Sequence, residues 1–228
     1  MRPTALVTGA SRGIGRAIAL RLARSYDVIA AARSEGELRA VVAEAERSGG
    51  AARALRLDVT DRRAVAAALS GERVDVLVNN AGVATMKPLV ELAPEEWQAM
   101  IDTNLSALYH VTRAVLPGML ERGRGHVIVI GSLAGRNPLQ GGTGYTATKH
   151  AVIGFCESLM LEVRDRGVKV STVMPGSVAT EFSRGGSRAS WKLTPDDVAL
   201  VVERILSTPE NMLVSRVELR PLKPERRG

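Results

Sequence analysis

Cysteine, aromatic residues and long apolar runs are all scarce in this chain. Its 228 residues include a single cysteine, Cys156, so no intrachain disulfide can form; that fits a reducing compartment. Aromatic side chains make up 3% of the residues, too few for a platform on which unpaired bases stack. No run approaches the roughly 18 apolar residues of a membrane span. Met1-Arg2-Pro3-Thr4 leads directly into Ala5-Leu6-Val7-Thr8-Gly9, without the apolar stretch of a signal peptide. The three histidines, His110, His126 and His150, fall at unrelated spacings and offer no metal-ligand pattern. The expectation is a cytoplasmic protein without metal or membrane attachment.

The formal net charge is +7. Arginine alternates with acidic residues along the helical stretches, which reads as a solvated surface rather than a nucleic-acid stripe. Hydrophobic residues amount to 45%, as in ordinary globular domains, and the length suits one domain spanning 1–228.

Apolar runs of strand length alternate with amphipathic stretches. Strands are predicted at 4–8, 28–32, 54–57, 74–79, 126–130, 169–174 and 212–215, helices at 14–24, 35–47, 62–69, 94–122, 144–166 and 195–206. Most of the strand runs are continuously apolar, as strands covered on both faces are. Such alternation predicts a single Rossmann-type, doubly wound α/β domain with a seven-stranded, mostly parallel sheet and helices on both faces. Ser34 and Thr194 each precede an acid by three residues, a helix-start signature, and Gly167 marks a helix end. The Ser/Gly/Arg-rich stretch 180–193 reads as a loop that lids a substrate site.

The first strand runs into Thr8-Gly9-Ala10-Ser11-Arg12-Gly13-Ile14-Gly15 and then at once into a helix. Glycines there permit a tight turn and close approach of a pyrophosphate to free N–H groups at the helix start. Dinucleotide sites that select NAD place an acid at the end of the second strand, on the ribose 2′-hydroxyl. Here that strand ends in Ala32-Arg33. The acid is missing, and the guanidiniums of Arg33 and Arg12 suit a 2′-phosphate instead, so the cofactor is predicted to be NADP(H).

Tyr145 and Lys149, four residues apart at the start of a helical stretch, share one helical face. A phenol trades protons poorly at neutral pH, and a neighbouring ammonium favours its ionised form. Together with Asn79-Asn80-Ala81-Gly82, Asn104, Ser132 and Pro175-Gly176, these motifs resemble, in order and spacing, the short-chain dehydrogenase/reductase family from residue 4 to about residue 218.

The resemblance implies an oxidoreductase that moves a hydride, delivered from the pro-S face, between NADP(H) and a small carbonyl or alcohol. It makes Tyr145 the general acid/base and has Ser132 hold the substrate oxygen. Lys149 binds the nicotinamide ribose, and Asn104 holds a water that links Lys149 to solvent. Gly9, Ser11, Arg12, Gly13, Ile14 and Gly15 then cradle the pyrophosphate, and Arg33 takes the 2′-phosphate. Asp58 and Val59 meet the adenine, while Asn80, Ala81 and Gly82 line its ribose. Pro175, Gly176, Val178 and Thr180 grip the carboxamide. A homodimer or homotetramer is implied as well, with no nucleic-acid partner.

Two features depart from the family pattern. The chain ends in Val214-Ser215-Arg216-Val217-Glu218-Leu219-Arg220-Pro221 instead of a Gly-Gly after the last strand, and the lid is short. Trp191, at the end of the lid, is placed to close over a substrate. Two alternatives stay open. One is reduction of a 3-oxoacyl group on an acidic carrier protein met by Lys87, Arg136, Arg184, Arg188 and Lys192; the other is a non-catalytic sensor of NADP(H).

Overall fold

The computed structural model describes residues 2–180 and 190–223. Seven strands form one sheet: β1 (Thr4–Thr8), β2 (Asp27–Ala32), β3 (Ala51–Arg56), β4 (Val76–Asn79), β5 (Gly125–Ile130), β6 (Val168–Pro175) and β7 (Arg216–Leu219). They lie in the order β3-β2-β1-β4-β5-β6-β7, with every pairing parallel. The chain winds outward from β1 to β3, then returns to the middle and winds the other way from β4. The reversal opens a crevice between the C-terminal ends of β1 and β4, where open α/β sheets bind their ligands.

Period-two alternation divides the core into two layers. Ala5, Val7, Val28 and Ala30 face α1 (Gly13–Leu22), α2 (Glu35–Arg47) and α7 (Pro195–Leu206), through Ile18, Leu38, Val41 and Val202. Leu6, Ile29, Leu77 and Val127 face α3 (Arg62–Ala68), α5 (Ala107–Glu121) and α6 (Thr143–Val163), through Val65, Val111, Val115, Val152 and Leu159. A sheet covered on both faces explains why the strands read as unbroken apolar runs.

Local signals explain the helix ends. The Thr194 hydroxyl accepts from the Asp197 N–H at 3.2 Å, and the Asp197 carboxylate accepts from the Thr194 N–H at 2.7 Å, a reciprocal cap on α7. Ser34 precedes α2 as expected but makes no capping side-chain bond.

Three expectations need correction. The predicted helix 94–122 is interrupted: α4 (Pro94–Ile101) passes into a π turn over Asp102–Ser106 before α5 begins. The last strand is Arg216–Leu219, not 212–215. Residues 212–215 are apolar, but Met212 is about half exposed, and the segment is strapped down from outside the ladder. Lys169 donates to the Met212 carbonyl at 2.7 Å and Ser171 to the Val214 carbonyl at 2.6 Å. The true strand is an edge, and its Arg216, Glu218 and Arg220 are exposed charges of the kind that block edge-to-edge pairing. The third strand starts at Ala51 rather than at 54, and its neighbour β4 starts at Val76 rather than at 74.

Candidate active site

The glycine loop comes first. Gly9 and Gly13 have φ of 64° and 54°, a region open to glycine and costly for other residues. A Cβ on Gly15 would lie 2.2 Å from the Gly9 carbonyl oxygen and 2.4 Å from Asn80 Nδ2, so the first turn of α1 can pack this closely only as glycine. Arg12 stands at the N-cap of α1 with no capping side-chain bond, and the first turn contains no acid. The N–H groups that open α1 therefore fit a pyrophosphate, which supplies the negative charge a capping carboxylate would otherwise bring.

The turn after β4 is tied to this loop. Asn80 Nδ2 donates to the carbonyls of Thr8 and Gly9 at 3.0 and 3.2 Å. The Thr8 hydroxyl oxygen accepts from the N–H groups of Asn80 and Ala81 at 3.0 and 3.2 Å. Asn80 was read as lining a ribose; its amide is occupied in bracing the cradle, and Thr8 is a bracing residue that sequence reasoning missed. The available signal was a lone buried hydroxyl closing an apolar strand. From the other side, a Cβ on Gly13 would touch Thr180 Cγ2 at 3.5 Å, so the loop after β6 also borders the cradle.

Arg33 follows β2 and is exposed. Burial pushes the Asp58 carboxyl up, but hydrogen bonds from the Thr60 N–H and hydroxyl, together with the Arg33 charge, outweigh it and hold Asp58 below its ordinary value. Arg33 and Asp58 thus lie near each other, as a site for an adenosine phosphate requires. One Asp58 oxygen is spent on the Thr60 turn, at 3.0 Å to the N–H and 2.8 Å to the hydroxyl. Val59, beside it, is buried.

Tyr145 and Lys149 are both on α6, with the Lys149 amine 5.7 Å from the centroid of the Tyr145 ring. Lys149 is buried, and its amine donates to the Ile130 carbonyl at 3.2 Å. Ser132, two residues past β5, caps a short 3-10 turn over Leu133–Gly135 by accepting from the Ala134 N–H at 3.1 Å. Its own hydroxyl proton is left for another acceptor. That turn lies directly against α6: a Cβ on Gly135 would be 2.6 Å from the Lys149 carbonyl oxygen. Gly135 is a further position that the sequence reading passed over.

Asn104 sits in the π turn and is buried. Its Oδ1 accepts from the Val83 N–H at 2.8 Å, and its Nδ2 donates to the Val83 carbonyl at 2.9 Å and the Thr148 hydroxyl at 3.0 Å. The side chain is therefore fully engaged by protein, which corrects the expectation that it holds a water. A cavity of about 10 Å³ does lie here, lined by Thr8, Asn79, Thr103, Asn104 and the Lys149 amine. That is near the lower limit for one water with several polar partners.

The strand-six loop holds Pro175, Gly176 and Val178. The Gly176 N–H donates to the Leu219 carbonyl at 2.8 Å, and Val178 bridges to Leu193, with the Ala179 N–H donating to the Leu193 carbonyl at 2.8 Å. Of the stretch 180–193 read as a lid, residues 181–189 lie outside the described residues, and with them Arg184 and Arg188. Trp191 is half-buried, with the Lys192 amine 5.7 Å from its ring centroid. Two of the cations assigned to an acidic carrier are already paired: Lys87 with Glu96 at 2.6 Å and Arg136 with Glu218 at 3.6 Å.

Comparison with known proteins decides the family. A family model described as short chain dehydrogenase matches residues 3–190. The chain belongs to the short-chain dehydrogenase family. It is 38% identical to the NADP-dependent 3-hydroxy acid dehydrogenase YdfG of Salmonella typhi, over 95% of this chain and 94% of that protein. It is 42% identical to the 3-oxoacyl-[acyl-carrier-protein] reductase FabG of Vibrio harveyi, over 79% of this chain and 75% of that protein. Among solved structures, a metagenomic short-chain oxidoreductase in complex with NADP superposes with a TM-score of 0.86 at 41% identity, covering 97% of this chain and 98% of that one. Among the described residues, no helix of this family member is long and apolar enough to cross a membrane.

Proposed function

We propose that the chain is an NADP(H)-dependent oxidoreductase that interconverts a small, free alcohol and its carbonyl, with Tyr145 as the acid/base. The observation that carries this reading is the buried Lys149 amine lying 5.7 Å from the Tyr145 ring, at the crevice end of the sheet. When bound, NADP(H) supplies or accepts the hydride. In the reducing direction the Tyr145 hydroxyl gives its proton to the substrate oxygen, and in the oxidising direction it takes that proton back. Ser132 has a hydroxyl proton available to fix the same oxygen. Lys149, close to the Tyr145 ring, supports charge on the phenol oxygen, and the small cavity at its amine gives a proton a way onward. The glycine loop, Arg12 and Arg33 bind the phosphates.

A small free substrate is favoured over a carrier-bound one because the likeness to the hydroxy acid dehydrogenase runs through 95% of the chain, against 79% for the carrier-protein reductase. The pairing of Lys87 and Arg136 within the chain points the same way. The test is NADPH oxidation, followed by nicotinamide absorbance, against a panel of free 3-oxo acids, ketones and aldehydes and against a 3-oxoacyl carrier protein. Turnover on the carrier alone would reverse the substrate assignment. Tight NADPH binding without turnover on any of them would favour a sensor.

Arg33 sets the cofactor preference. Arg33→Ala is expected to raise KM for NADPH roughly ten- to a hundredfold, the equivalent of a lost charge-assisted bond of about 1.5–3 kcal/mol, and to leave KM for NADH nearly unchanged. Equal effects on both cofactors would remove Arg33 from the 2′-phosphate site.

A cytoplasmic homodimer or homotetramer completes this reading. Gly154 supports the assembly: it stands exposed in the middle of α6, where a glycine costs about 1 kcal/mol relative to alanine, yet no atom lies within 4 Å of where its Cβ would be. Close approach of another subunit gives the glycine a purpose. Sedimentation as a monomer at micromolar concentration would remove this part.

A further inference from the structure

Thr148 separates the two residues of the proposed proton-transfer pair by a single position from Lys149, and it is 1% exposed. Its hydroxyl has one proton and two neighbours of opposite kinds. The Tyr145 carbonyl, 2.8 Å away, can only accept, and Asn104 Nδ2, 3.0 Å away, can only donate. The hydroxyl must therefore give its proton to Tyr145 and receive one from Asn104. The second Nδ2 proton goes to the Val83 carbonyl and Oδ1 takes the Val83 N–H, so every hydrogen-bonding position of the Asn104 amide is fixed.

These bonds join three segments that share no sequence neighbourhood: the π turn, the segment after β4 and the first turn of α6. The knot lies behind the Lys149 amine. A Cβ on Gly82, next to Val83, would be 3.2 Å from Asn104 Oδ1 and 3.9 Å from Lys149 Nζ. The Tyr145 carbonyl that receives the Thr148 proton also opens the helical turn leading to Lys149.

We infer that Thr148 is a positioning residue for the reaction: its hydroxyl, through Asn104 and Val83, sets the height and rotation of the α6 turn that presents Tyr145 and Lys149 to the cofactor crevice. Buried hydroxyls of helical threonines often satisfy only their own helix. This one also accepts from a side chain 44 residues away, on a segment bent out of regular helix geometry. Valine keeps the shape of the side chain but leaves one buried Asn104 N–H without an acceptor, and serine keeps the hydroxyl while losing a methyl group.

This inference rests on Tyr145 and Lys149 being the proton-transfer pair. Its test uses the full chain, with Thr148→Val, Thr148→Ser and Tyr145→Phe measured side by side, each checked for NADPH binding by fluorescence. The expected result for Thr148→Val is a kcat lower by on the order of tenfold, as misplacement of catalytic groups produces, with KM for NADPH unchanged within about twofold. Thr148→Ser should return kcat to within about twofold of the original chain. Two outcomes overturn the inference: serine and valine lowering kcat alike, which would mean packing rather than the hydroxyl matters, or valine leaving kcat intact. A valine variant that no longer binds NADPH would count against it too, since serine alone would then have to match the original chain while alanine at 148 fell tenfold with binding retained. If Tyr145→Phe itself turns over normally, the fault lies with the acid/base reading and not with Thr148.

Discussion

Replacing Tyr145 with phenylalanine should lower kcat by about 10²–10⁴-fold, the contribution of a positioned general acid or base. The substitution removes one oxygen and keeps the ring. The amine of Lys149, 5.7 Å from the ring centroid and anchored to the Ile130 carbonyl at 3.2 Å, retains both its aromatic neighbour and its backbone partner. Binding of NADPH should accordingly change by less than about twofold, since a cation over an aromatic face keeps its attraction without the hydroxyl. Steady-state turnover combined with cofactor fluorescence separates the two effects. Turnover that survives the change would take the phenol out of the chemistry and leave Ser132 or the substrate itself as the source of the proton.

A second large effect concerns stability. His126 on β5 is buried, and its Nε2 is 2.7 Å from the Ser171 hydroxyl oxygen. Ser171 gives its own proton to the Val214 carbonyl, so the imidazole is the donor in this pair and is neutral. Burial, aided by the nearby Lys169 charge, lowers the His126 pKa from 6.5 to about 4. Between those values the unfolded chain binds more protons than the folded one. Stability is therefore complete above pH 6.5 and is lost as the pH falls toward 4. The loss attributable to this one group is about 3 kcal/mol. Urea unfolding of the original chain and of His126→Gln, at pH values across that window, measures it: carboxylates titrate in both proteins and cancel in the comparison. Parallel pH dependences would show that the imidazole is not held neutral. The segment most affected is the strap of residues 209–214, which Lys169 and Ser171 fasten to the outer strands.

Much of this architecture is readable from residue order because two-sided burial writes itself into sequence. The runs ending in Thr8, Ala32 and Ile130 are continuously apolar since helices cover both of their faces. The same rule misplaced the last strand: Met212-Leu213-Val214 looks like a strand, whereas the edge strand carries Arg216 and Glu218 because one side of an edge meets water. The π turn left no trace in hydrophobic period, for one inserted residue barely shifts the phase of a long amphipathic pattern.

Among site residues, positions were easier to read than tasks. The spacing of Tyr145 and Lys149 on one helix follows from local geometry. The work of Asn80 and Asn104 depends on partners 71 to 72 and 21 to 44 residues away, and hydrogen bonds over such distances have no local signature. Thr148 was invisible for the same reason, since a threonine in a helix is unremarkable until its acceptor role toward Asn104 is known.

The bridge between Val178 and Leu193 bears on how this protein could be re-engineered. Its two backbone bonds, Ala179 N–H to the Leu193 carbonyl and Leu193 N–H to the Ser177 carbonyl, clasp both ends of the intervening stretch at one point beside the crevice. With the ends clasped, the entropy of closing that stretch grows only with the logarithm of its length, about 0.6 kcal/mol per doubling. The stretch is thus an exchangeable cassette: donor sequences of quite different size can be grafted between the clasped ends to recast substrate choice while the sheet beneath stays as it is.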